Sequence, residues 1–281
     1  ILLLILLSAT ILVFLPDVYD GTFLKTYILY VLTCAIVSVV LMEWMKQCRF
    51  DVTLSKAHIV FSFYVLASML STYNAISMRL AIESLAQLIC YFLIFYFSTT
   101  SLNTRYAIRI MLSITAIVSA IALLHFVIPS SSNLLETFKQ LSKGSTFGNP
   151  AYFGGFLVLV LPLILSQIFE SNAKPSQKLF CNLLAVMTLY LLMRTESRSS
   201  WVACFVSAFL FAILNFRTSK SRWIAVIGGV IVMAIVIVLF QDVINRRLGN
   251  IFDFNSQSSV SRRLFFYEGA LQAFLASPVI G

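Results

Sequence analysis

Long apolar stretches separated by short polar segments make up most of the chain. A membrane-spanning helix needs about 20 mainly apolar residues, because the hydrocarbon core is about 30 Å thick and each helical residue adds about 1.5 Å. About nine stretches reach or approach that length: 1–15, 25–44, 57–73, 81–98, 107–128, 151–170, 179–193, 201–215 and 223–240. They lack the period-two alternation that is typical of a membrane β-barrel. The pattern predicts an all-α fold, a polytopic helical membrane protein with about nine spans.

The composition excludes several other classes of protein. Hydrophobic residues make up 60% of the 281 residues, charged residues only 11%, and the mean hydropathy is +0.94. Because a soluble domain carries roughly 25% charged residues, this chain has too little polar surface to cover a soluble globule. A soluble enzyme, a disordered chain, a coiled coil and a secreted disulfide scaffold are therefore excluded.

The basic residues indicate how the chain is oriented in the membrane. Ten of them lie in one alternating set of short loops: 45–56, 99–109, 171–178 and 216–222. The positive-inside bias makes this set cytoplasmic and the other set extracytoplasmic. We therefore expect a multi-pass membrane protein whose basic loops face the cytoplasm. This bias and contacts with phosphate headgroups explain most of the net charge of +9. No nucleic-acid partner is therefore expected.

Three parts of the chain are expected to differ in role. Residues 1–128 hold transmembrane helices one to five, and residues 129–240 hold helices six to nine with outer loops that carry the motifs quoted below. Residues 241–281 begin a large extracytoplasmic loop, which we expect to continue past the last residue. An interfacial helix is predicted in this third part from apolar residues at helical spacing: Leu264, Tyr267, Leu271 and Phe274.

Small residues and a proline are expected to shape two of the spans. Pro162 lies within the sixth span and is expected to kink it. Glycine pairs allow close helix approach, and the two pairs are Gly154 with Gly155 and Gly228 with Gly229.

Several arginines lie on the predicted outer side, where the positive-inside bias does not explain them. They are Arg194, Arg198, Arg246, Arg247, Arg262 and Arg263. An arginine is permanently charged and binds phosphate through two parallel hydrogen bonds, so the cluster suits a lipid-linked phosphate or diphosphate. In the alternative interpretation these side chains reach lipid headgroups or pair with Glu196 and Glu268.

Three segments in order resemble the O-antigen ligase and polymerase superfamily, which includes bacterial protein O-oligosaccharyltransferases. They are GSTFGNPAYFGGFLVLVLPL (144–163), TESRSSWVACF (195–205) and SRRLFFYEGALQAFLASPVIG (261–281). Family members show a G-x-F-G-N-P-N-like helix start, then an S-R-G/x-x-W-like turn, and later an R-x-x-x-W helix that ends in P-x-x-G-x-G. The resemblance covers about half of the chain, roughly 140–281, and implies a GT-C-like glycosyltransferase architecture.

The resemblance carries over residue by residue. Ser197, Arg198 and Trp201 match the turn motif, and Asn149 matches the helix start, where Ala151 replaces a common Asn. Arg263 matches the later arginine, with Arg262 as the alternative, and Tyr267 replaces the tryptophan of that motif. The family pattern implies that Arg198 and Arg263 hold the diphosphate of an undecaprenyl-linked glycan. Ser197, Trp201, Asn149 and Tyr267 are implied as supporting residues.

The sequence does not identify the catalytic base. The resemblance implies a His in the large outer loop, beyond residue 281. His125 lies near the outer end of the fifth predicted span, where a packing role is the commoner one. His58 lies at the cytoplasmic end of its span, on the wrong side for the reaction.

The sequence leaves two possible roles open for each of two carboxylates, Glu83 and Glu196. Glu83 lies near the start of the fourth span, and an intramembrane charge is a functional candidate by default; it could equally pair with Arg79 at i−4. Glu196 either orients Arg198 or is a solvated loop residue. No cluster with metal-ligand spacing is seen in the sequence, so neither a metal nor a cofactor is implied.

The resemblance favours an enzyme of lipopolysaccharide or other polysaccharide biosynthesis in the cell envelope. It implies a multi-pass protein of the bacterial cytoplasmic (inner) membrane. The implied reaction is inverting transfer of a glycan from undecaprenyl diphosphate to an acceptor at the extracytoplasmic face. The acceptor stays open between lipid A core, another glycan and a protein. The alternatives are a polysaccharide or lipid exporter and another polytopic glycosyltransferase, the latter favoured if a carboxylate such as Asp253 is catalytic.

Overall fold

All regular elements of the described residues are helical, which confirms the predicted all-α fold. The computed structural model describes residues 2–13, 21–47, 54–75, 77–101, 103–127, 144–170, 173–215 and 259–276. The helices are α1 (Leu2–Leu12), α2 (Gly21–Gln47), α3 (Lys56–Thr72), α4 (Met78–Ser101), α5 (Thr104–Val127), α6 (Pro150–Ile168), α7 (Pro175–Arg194), α8 (Arg198–Asn215) and α9 (Ser259–Ala276). A 3₁₀ turn, Ser145–Phe147, precedes α6.

Six helices in the described part of the chain are long and apolar enough to cross a membrane: Leu24–Gln47 of α2, Met78–Thr100 of α4, Thr104–Leu124 of α5, and the whole of α6, α7 and α8. Two further predicted spans form the shorter helices α1 and α3, of 11 and 17 residues. The predicted span 223–240 lies outside the described residues. Large apolar side chains such as Leu159 and Leu214 are exposed on the spanning helices, as expected where lipid is the solvent. The protein is a polytopic helical membrane protein.

The helices fall into two compact units. The first contains the beginning of α1 with α2, α3, α4 and α9, and its buried core consists of Leu6, Leu29, Ile36, Tyr96 and Phe97. The second contains the end of α1 from Ile11 onward, nearly all of α5, the 3₁₀ turn, α6, α7 and α8.

A buried histidine joins the start of α3 to the end of α4 in the first unit. The His58 Nδ1 atom accepts a hydrogen bond from the Ser55 backbone N–H at 2.9 Å, which closes a capping box. Its Nε2 lies 2.7 Å from the Thr99 hydroxyl oxygen. The rings of Phe95 and Tyr96 lie 5.1 and 5.3 Å from the imidazole, centroid to centroid. The imidazole thus completes the N-cap of α3 and links it to a hydroxyl near the end of α4.

In the second unit, α6 is the central helix and packs against both α7 and α8. Phe153, Leu157, Val160 and Ile164 recur every three or four residues and are all buried, so they form one continuous packing face. Pro162 lies inside α6. The predicted interfacial segment forms α9, and its described side chains are exposed; its place on the outer leaflet stays a prediction.

The glycine prediction is confirmed at one position and wrong at another. A Cβ atom on Gly154 would lie 2.8 Å from the Cβ of Ser200, so only glycine lets α6 approach α8 this closely. A Cβ on Gly155 would meet no atom within 4 Å, because Gly155 points away from the packed face. Gly228 and Gly229 lie outside the described residues.

Candidate functional site at the α7–α8 turn

The helix-start motif folds as a tight loop before α6. A Cβ on Gly144 would lie 2.6 Å from the Gly148 carbonyl carbon, so this position has no room for a side chain. Gly148 has a φ of 67°, in the left-handed region that glycine adopts without a Cβ clash. Each of the two glycines is therefore required for its own reason: Gly144 for space and Gly148 for its backbone conformation.

Asn149 caps α6. Its Oδ1 atom accepts a hydrogen bond from the Ala151 backbone N–H at 2.8 Å, and Pro150 occupies the first turn of the helix. The Phe147 ring lies 6.0 Å from Phe153 and 5.0 Å from Phe156, measured between ring centroids. The cap and the aromatic contacts together fix the direction in which the chain enters α6.

Two hydroxyls tie this loop to other helices of the second unit. The Ser145 Oγ donates to the Val118 carbonyl of α5 at 3.0 Å, and the Thr146 Oγ1 donates to the Ile11 carbonyl at 2.9 Å. Ser145 is fully buried and has a φ of 48°. Because a non-glycine residue in this region is strained, the buried hydrogen bond is the interaction that holds it there.

The turn between α7 and α8 is closed by two donors on one carbonyl oxygen. The Thr195 Oγ1 donates to the Leu192 carbonyl at 2.7 Å, and the indole Nε1 of Trp201 donates to the same oxygen at 3.1 Å. Glu196 between them has a φ of 53°. Trp201 thus satisfies a carbonyl that the last turn of a helix leaves without an intrahelical partner, and it holds the start of α8 against the end of α7.

Three serine hydroxyls gather at the start of α8. The Ser200 Oγ donates to the Ser197 Oγ at 2.9 Å, and the Ser197 Oγ lies 3.2 Å from the Ser199 Oγ. The Ser197 carbonyl accepts the Trp201 backbone N–H at 3.2 Å, the first hydrogen bond of the helix. Ser200 is buried and Ser199 is exposed, so the hydroxyl chain runs from the helix interface to the surface.

Gly154 brings the helix-start motif to this turn. Its absent side chain leaves the space that Ser200 occupies, and a Cβ there would lie 3.4 Å from the Thr195 Oγ1. The start of α6, the end of α7 and the start of α8 therefore meet at one end of the three-helix packing. The two motifs that are distant in sequence are neighbours in the fold.

Arg198 is the first residue of α8, next to these hydroxyls. Its side chain is half-buried, and no side chain of the described residues hydrogen-bonds or ion-pairs with its guanidinium. The first turn of a helix also has backbone N–H groups without intrahelical acceptors and carries a partial positive charge. A guanidinium, a helix N-terminus and serine hydroxyls are the donors that suit a phosphate oxygen.

The later arginine motif lies in α9 of the first unit. The side chains of Arg262 and Arg263 are outside what the structure describes. Tyr267 is exposed on α9. The predicted pairing of Arg198 with Arg263 therefore stays a prediction.

Residues 183–281 match the family model described as O-antigen ligase. The match confirms the predicted resemblance over these residues, which include the turn motif at Ser197–Trp201 and the whole of α9. The loop before α6 lies N-terminal to the matched region. The chain has no match among curated proteins and none among solved structures.

Glu83 lies outside the matched residues and forms an ion pair with Arg79, one of the two roles considered for it. Its Oε1 lies 3.2 Å from the Arg79 Nε, and both side chains are exposed. The Tyr30 hydroxyl donates to the Glu83 carbonyl at 3.3 Å. The pairing is confirmed, and a supporting role for Glu83 in the reaction stays a prediction.

The described residues do not place a catalytic base among the remaining titratable candidates. The side chain of His125 and the whole of Asp253 lie outside what the structure describes. Within the described residues, no group of three or more His, Cys, Asp or Glu side chains could hold a metal ion. His58 is part of the α3–α4 connection.

The structure adds site residues that sequence reasoning missed. They are Thr195 and Ser200 at the turn, and Gly144, Ser145 and Thr146 in the loop before α6. All lie in or beside the quoted motifs. The sequence, however, does not show which group on another helix a hydroxyl will bond. Only the concentration of Ser, Thr and Gly between apolar spans could have drawn attention to them.

Proposed function

We propose that this protein transfers a glycan from an undecaprenyl-diphosphate donor to an acceptor at the extracytoplasmic face of the bacterial cytoplasmic membrane. The observation that carries the proposal is the O-antigen ligase match over residues 183–281, which contains the turn with Arg198, whose guanidinium has no partner among the described residues. The match supports a glycan ligase or polymerase-like enzyme. The donor, the face and the acceptor are our proposal.

The proposed role of Arg198 is to hold the diphosphate of the donor. The side chain is accessible, it has no partner among the described residues, and it begins a helix whose N-terminus favours anions. Ser199 is exposed beside it and would donate a further hydrogen bond from its hydroxyl. Arg263, or Arg262 beside it, would supply the second cation from α9.

The chemistry needs charge stabilisation more than proton donation to the leaving group. When an acceptor hydroxyl attacks the anomeric carbon, the C–O bond to the diphosphate breaks and the leaving group takes the electron pair as an anion. Each charge-assisted hydrogen bond from an arginine contributes about 1.5–3 kcal/mol. A general base that removes the proton of the acceptor adds on the order of 10²–10⁴-fold. Direct displacement inverts the anomeric configuration, and no cofactor enters the reaction.

Substitution of Arg198 tests this role. Arg198→Ala should lower glycan transfer about 10- to 150-fold, the equivalent of about 1.5–3 kcal/mol, and Arg198→Lys should recover part of it because the charge is kept and the bidentate geometry is lost. Arg105→Ala is the matched control, since Arg105 is exposed at the other predicted membrane face. Surface glycan is analysed by gel in cells that carry only the variant, with membrane insertion measured in parallel.

The same gels distinguish the two reaction types. Loss of long glycan chains indicates a polymerase, whereas accumulation of unattached lipid-linked glycan indicates a ligase. Full transfer by an inserted Arg198→Ala protein would contradict the proposed role of the arginine.

A further inference from the structure

Glu196 has a backbone conformation that side chains other than glycine seldom adopt. Its φ is 53°, and among the described residues only one other non-glycine residue, Ser145 with a φ of 48°, has a positive φ. In this region the Cβ atom strains the backbone. The two residues lie in the two motif segments of the candidate site, the loop before α6 and the α7–α8 turn. Strained residues cluster at functional sites, where the surrounding structure holds them.

The strain at Ser145 has a visible reason. Its buried hydroxyl donates to the Val118 carbonyl of α5 at 3.0 Å. A glycine at this position would adopt the same φ without strain, but it would lose the hydrogen bond. The side chain of Ser145 therefore accounts for a non-glycine residue in the left-handed region.

The backbone of Glu196 does not require a glutamate. The Thr195 N–H donates to the Leu191 carbonyl at 2.9 Å, and the Glu196 N–H donates to the Met193 carbonyl at 3.2 Å, which closes the end of α7. Glycine is the usual residue at this point of a helix end, because it makes the same backbone hydrogen bond without strain. Ending the helix thus does not explain why a carboxylate is present.

Glu196 also brings a negative charge to the end of the second unit that carries Arg198. The described residues of this unit contain two carboxylates, Glu170 and Glu196. Glu170 follows the end of α6, whereas the Arg198 turn packs beside Gly154 near the beginning of α6. Because a guanidinium only donates hydrogen bonds and a carboxylate only accepts them, the turn presents two complementary groups.

The position of this carboxylate restricts what it binds. It repels phosphate oxygens, which carry the same charge, and it accepts hydrogen bonds from neutral hydroxyls. In a polyprenyl-diphosphate donor the sugar is bonded to the outer phosphate, so its hydroxyls are only a few bonds from that phosphate. The Cα atoms of residues 196 and 198 are at most about 7 Å apart, and both side chains are half-buried. The two side chains can therefore contact adjacent parts of one such ligand.

We propose that Glu196 determines donor specificity by accepting a hydrogen bond from a hydroxyl of the sugar attached to the diphosphate. This proposal rests on the proposed function, because the sugar meets Glu196 only when Arg198 holds the diphosphate. No covalent bond changes at the carboxylate. It favours a lipid diphosphate that carries a sugar over the bare lipid diphosphate that the reaction releases, and so it also favours release of that product.

Binding of two lipids tests the proposal without a transfer reaction. The protein is placed in phosphatidylcholine nanodiscs, and the Kd is measured for undecaprenyl diphosphate alone and for undecaprenyl diphosphate that carries one glucose. The unsubstituted protein should bind the glucose lipid more tightly. Glu196→Gly should weaken binding of the glucose lipid about 10- to 150-fold, as expected for one hydrogen bond to a charged group. It should leave binding of the bare lipid unchanged or tighter.

Two further variants and a stability measurement identify the role of the carboxylate. Glu196→Gln keeps an accepting oxygen without the charge, so part of the preference for the glucose lipid should remain. Glu170→Gly is the matched control and should keep the full preference, since Glu170 is exposed at the other end of α6. The Tm of Glu196→Gly should equal or exceed that of the unsubstituted protein, because glycine relieves the strain. A lower Tm would show that the carboxylate stabilises the turn and would overturn the proposal.

The same measurements separate this proposal from the proposed function. Arg198→Ala should weaken binding of both lipids. If it does so while Glu196→Gly keeps the preference for the glucose lipid, or if the unsubstituted protein has no such preference, the role of Glu196 is wrong and the diphosphate site stands. If the unsubstituted protein binds neither lipid, or if Arg198→Ala binds both as well as it does, the proposed function is contradicted and the role of Glu196 with it.

Discussion

At the scale of single residues, two adjacent glycines with the same sequence context have opposite environments. Gly154 leaves the space that Ser200 and Thr195 occupy, whereas Gly155 has no neighbour within 4 Å for a Cβ atom. The difference matters for function because Ser200 donates to Ser197, directly before Arg198. The position of the arginine turn therefore depends on the absence of one methyl group on α6.

Alanine substitution of each glycine tests this dependence. Gly154→Ala should lower the free energy of unfolding by about 1–3 kcal/mol, the usual effect of overpacking, and should lower glycan transfer because the turn is displaced. Gly155→Ala should be neutral or stabilise by up to about 1 kcal/mol, since alanine is the better helix former. Thermal unfolding in detergent and the gel assay measure both; equal effects of the two substitutions would contradict the packing that we describe.

At the scale of helices, side-chain hydrogen bonds to the ends of neighbouring helices hold the elements in place. Trp201 and Thr195 both donate to the Leu192 carbonyl near the end of α7. His58 connects the start of α3 with Thr99 near the end of α4. Apolar packing between spanning helices has no hydrophobic driving force in lipid, so these few polar contacts add specificity that packing alone does not supply.

A double-mutant cycle measures the contact between α3 and α4. His58→Phe and Thr99→Val should each destabilise the protein, and their combined effect should be smaller than the sum by about 0.5–1.5 kcal/mol, because both remove the same hydrogen bond. Thr72→Val is the control partner for His58→Phe, since the Thr72 hydroxyl donates to the Ser68 carbonyl at 2.8 Å within its own helix. Strict additivity for the His58–Thr99 pair, measured by thermal unfolding, would show that the two side chains do not interact.

At the scale of the whole molecule, the predicted orientation of the chain decides whether the Arg198 turn can meet an extracytoplasmic donor. The short loops with most basic residues include 99–109, and the predicted outer loops include 74–80 and 194–200. The orientation follows from the positive-inside bias.

Cysteine accessibility tests the orientation. In a background without the five native cysteines, Ser77→Cys should react with a membrane-impermeant maleimide in intact spheroplasts. Asn103→Cys should react only after the membrane is permeabilised. Both positions lie between helices and are exposed, so the reversed pattern would place the Arg198 turn on the cytoplasmic side and contradict the proposed donor face.

Much of the architecture could be predicted because apolar length and loop charge are properties of the sequence alone. The stretches 151–170, 179–193 and 201–215 became α6, α7 and α8 with ends within a few residues of the prediction. The family resemblance implies a helix start at Asn149, and the structure shows that Asn149 caps α6. The ion pair between Arg79 and Glu83 was one of two alternatives for Glu83, and their i,i+4 spacing is what suggested it.

Other features depended on contacts between residues that are distant in sequence. Nothing in the local pattern distinguishes Gly154 from Gly155, or shows that Thr146 donates to the Ile11 carbonyl 135 residues away. The left-handed conformation of Glu196 escaped prediction because glycine is the residue that usually indicates it in a sequence. Hydropathy and residue chemistry are local properties, so the sequence alone identifies lipid as the surroundings of the helices, the approximate helix bounds and the arginines of the motifs. Which polar side chains have partners depends on the distances between helices, and it is therefore visible only in the folded structure.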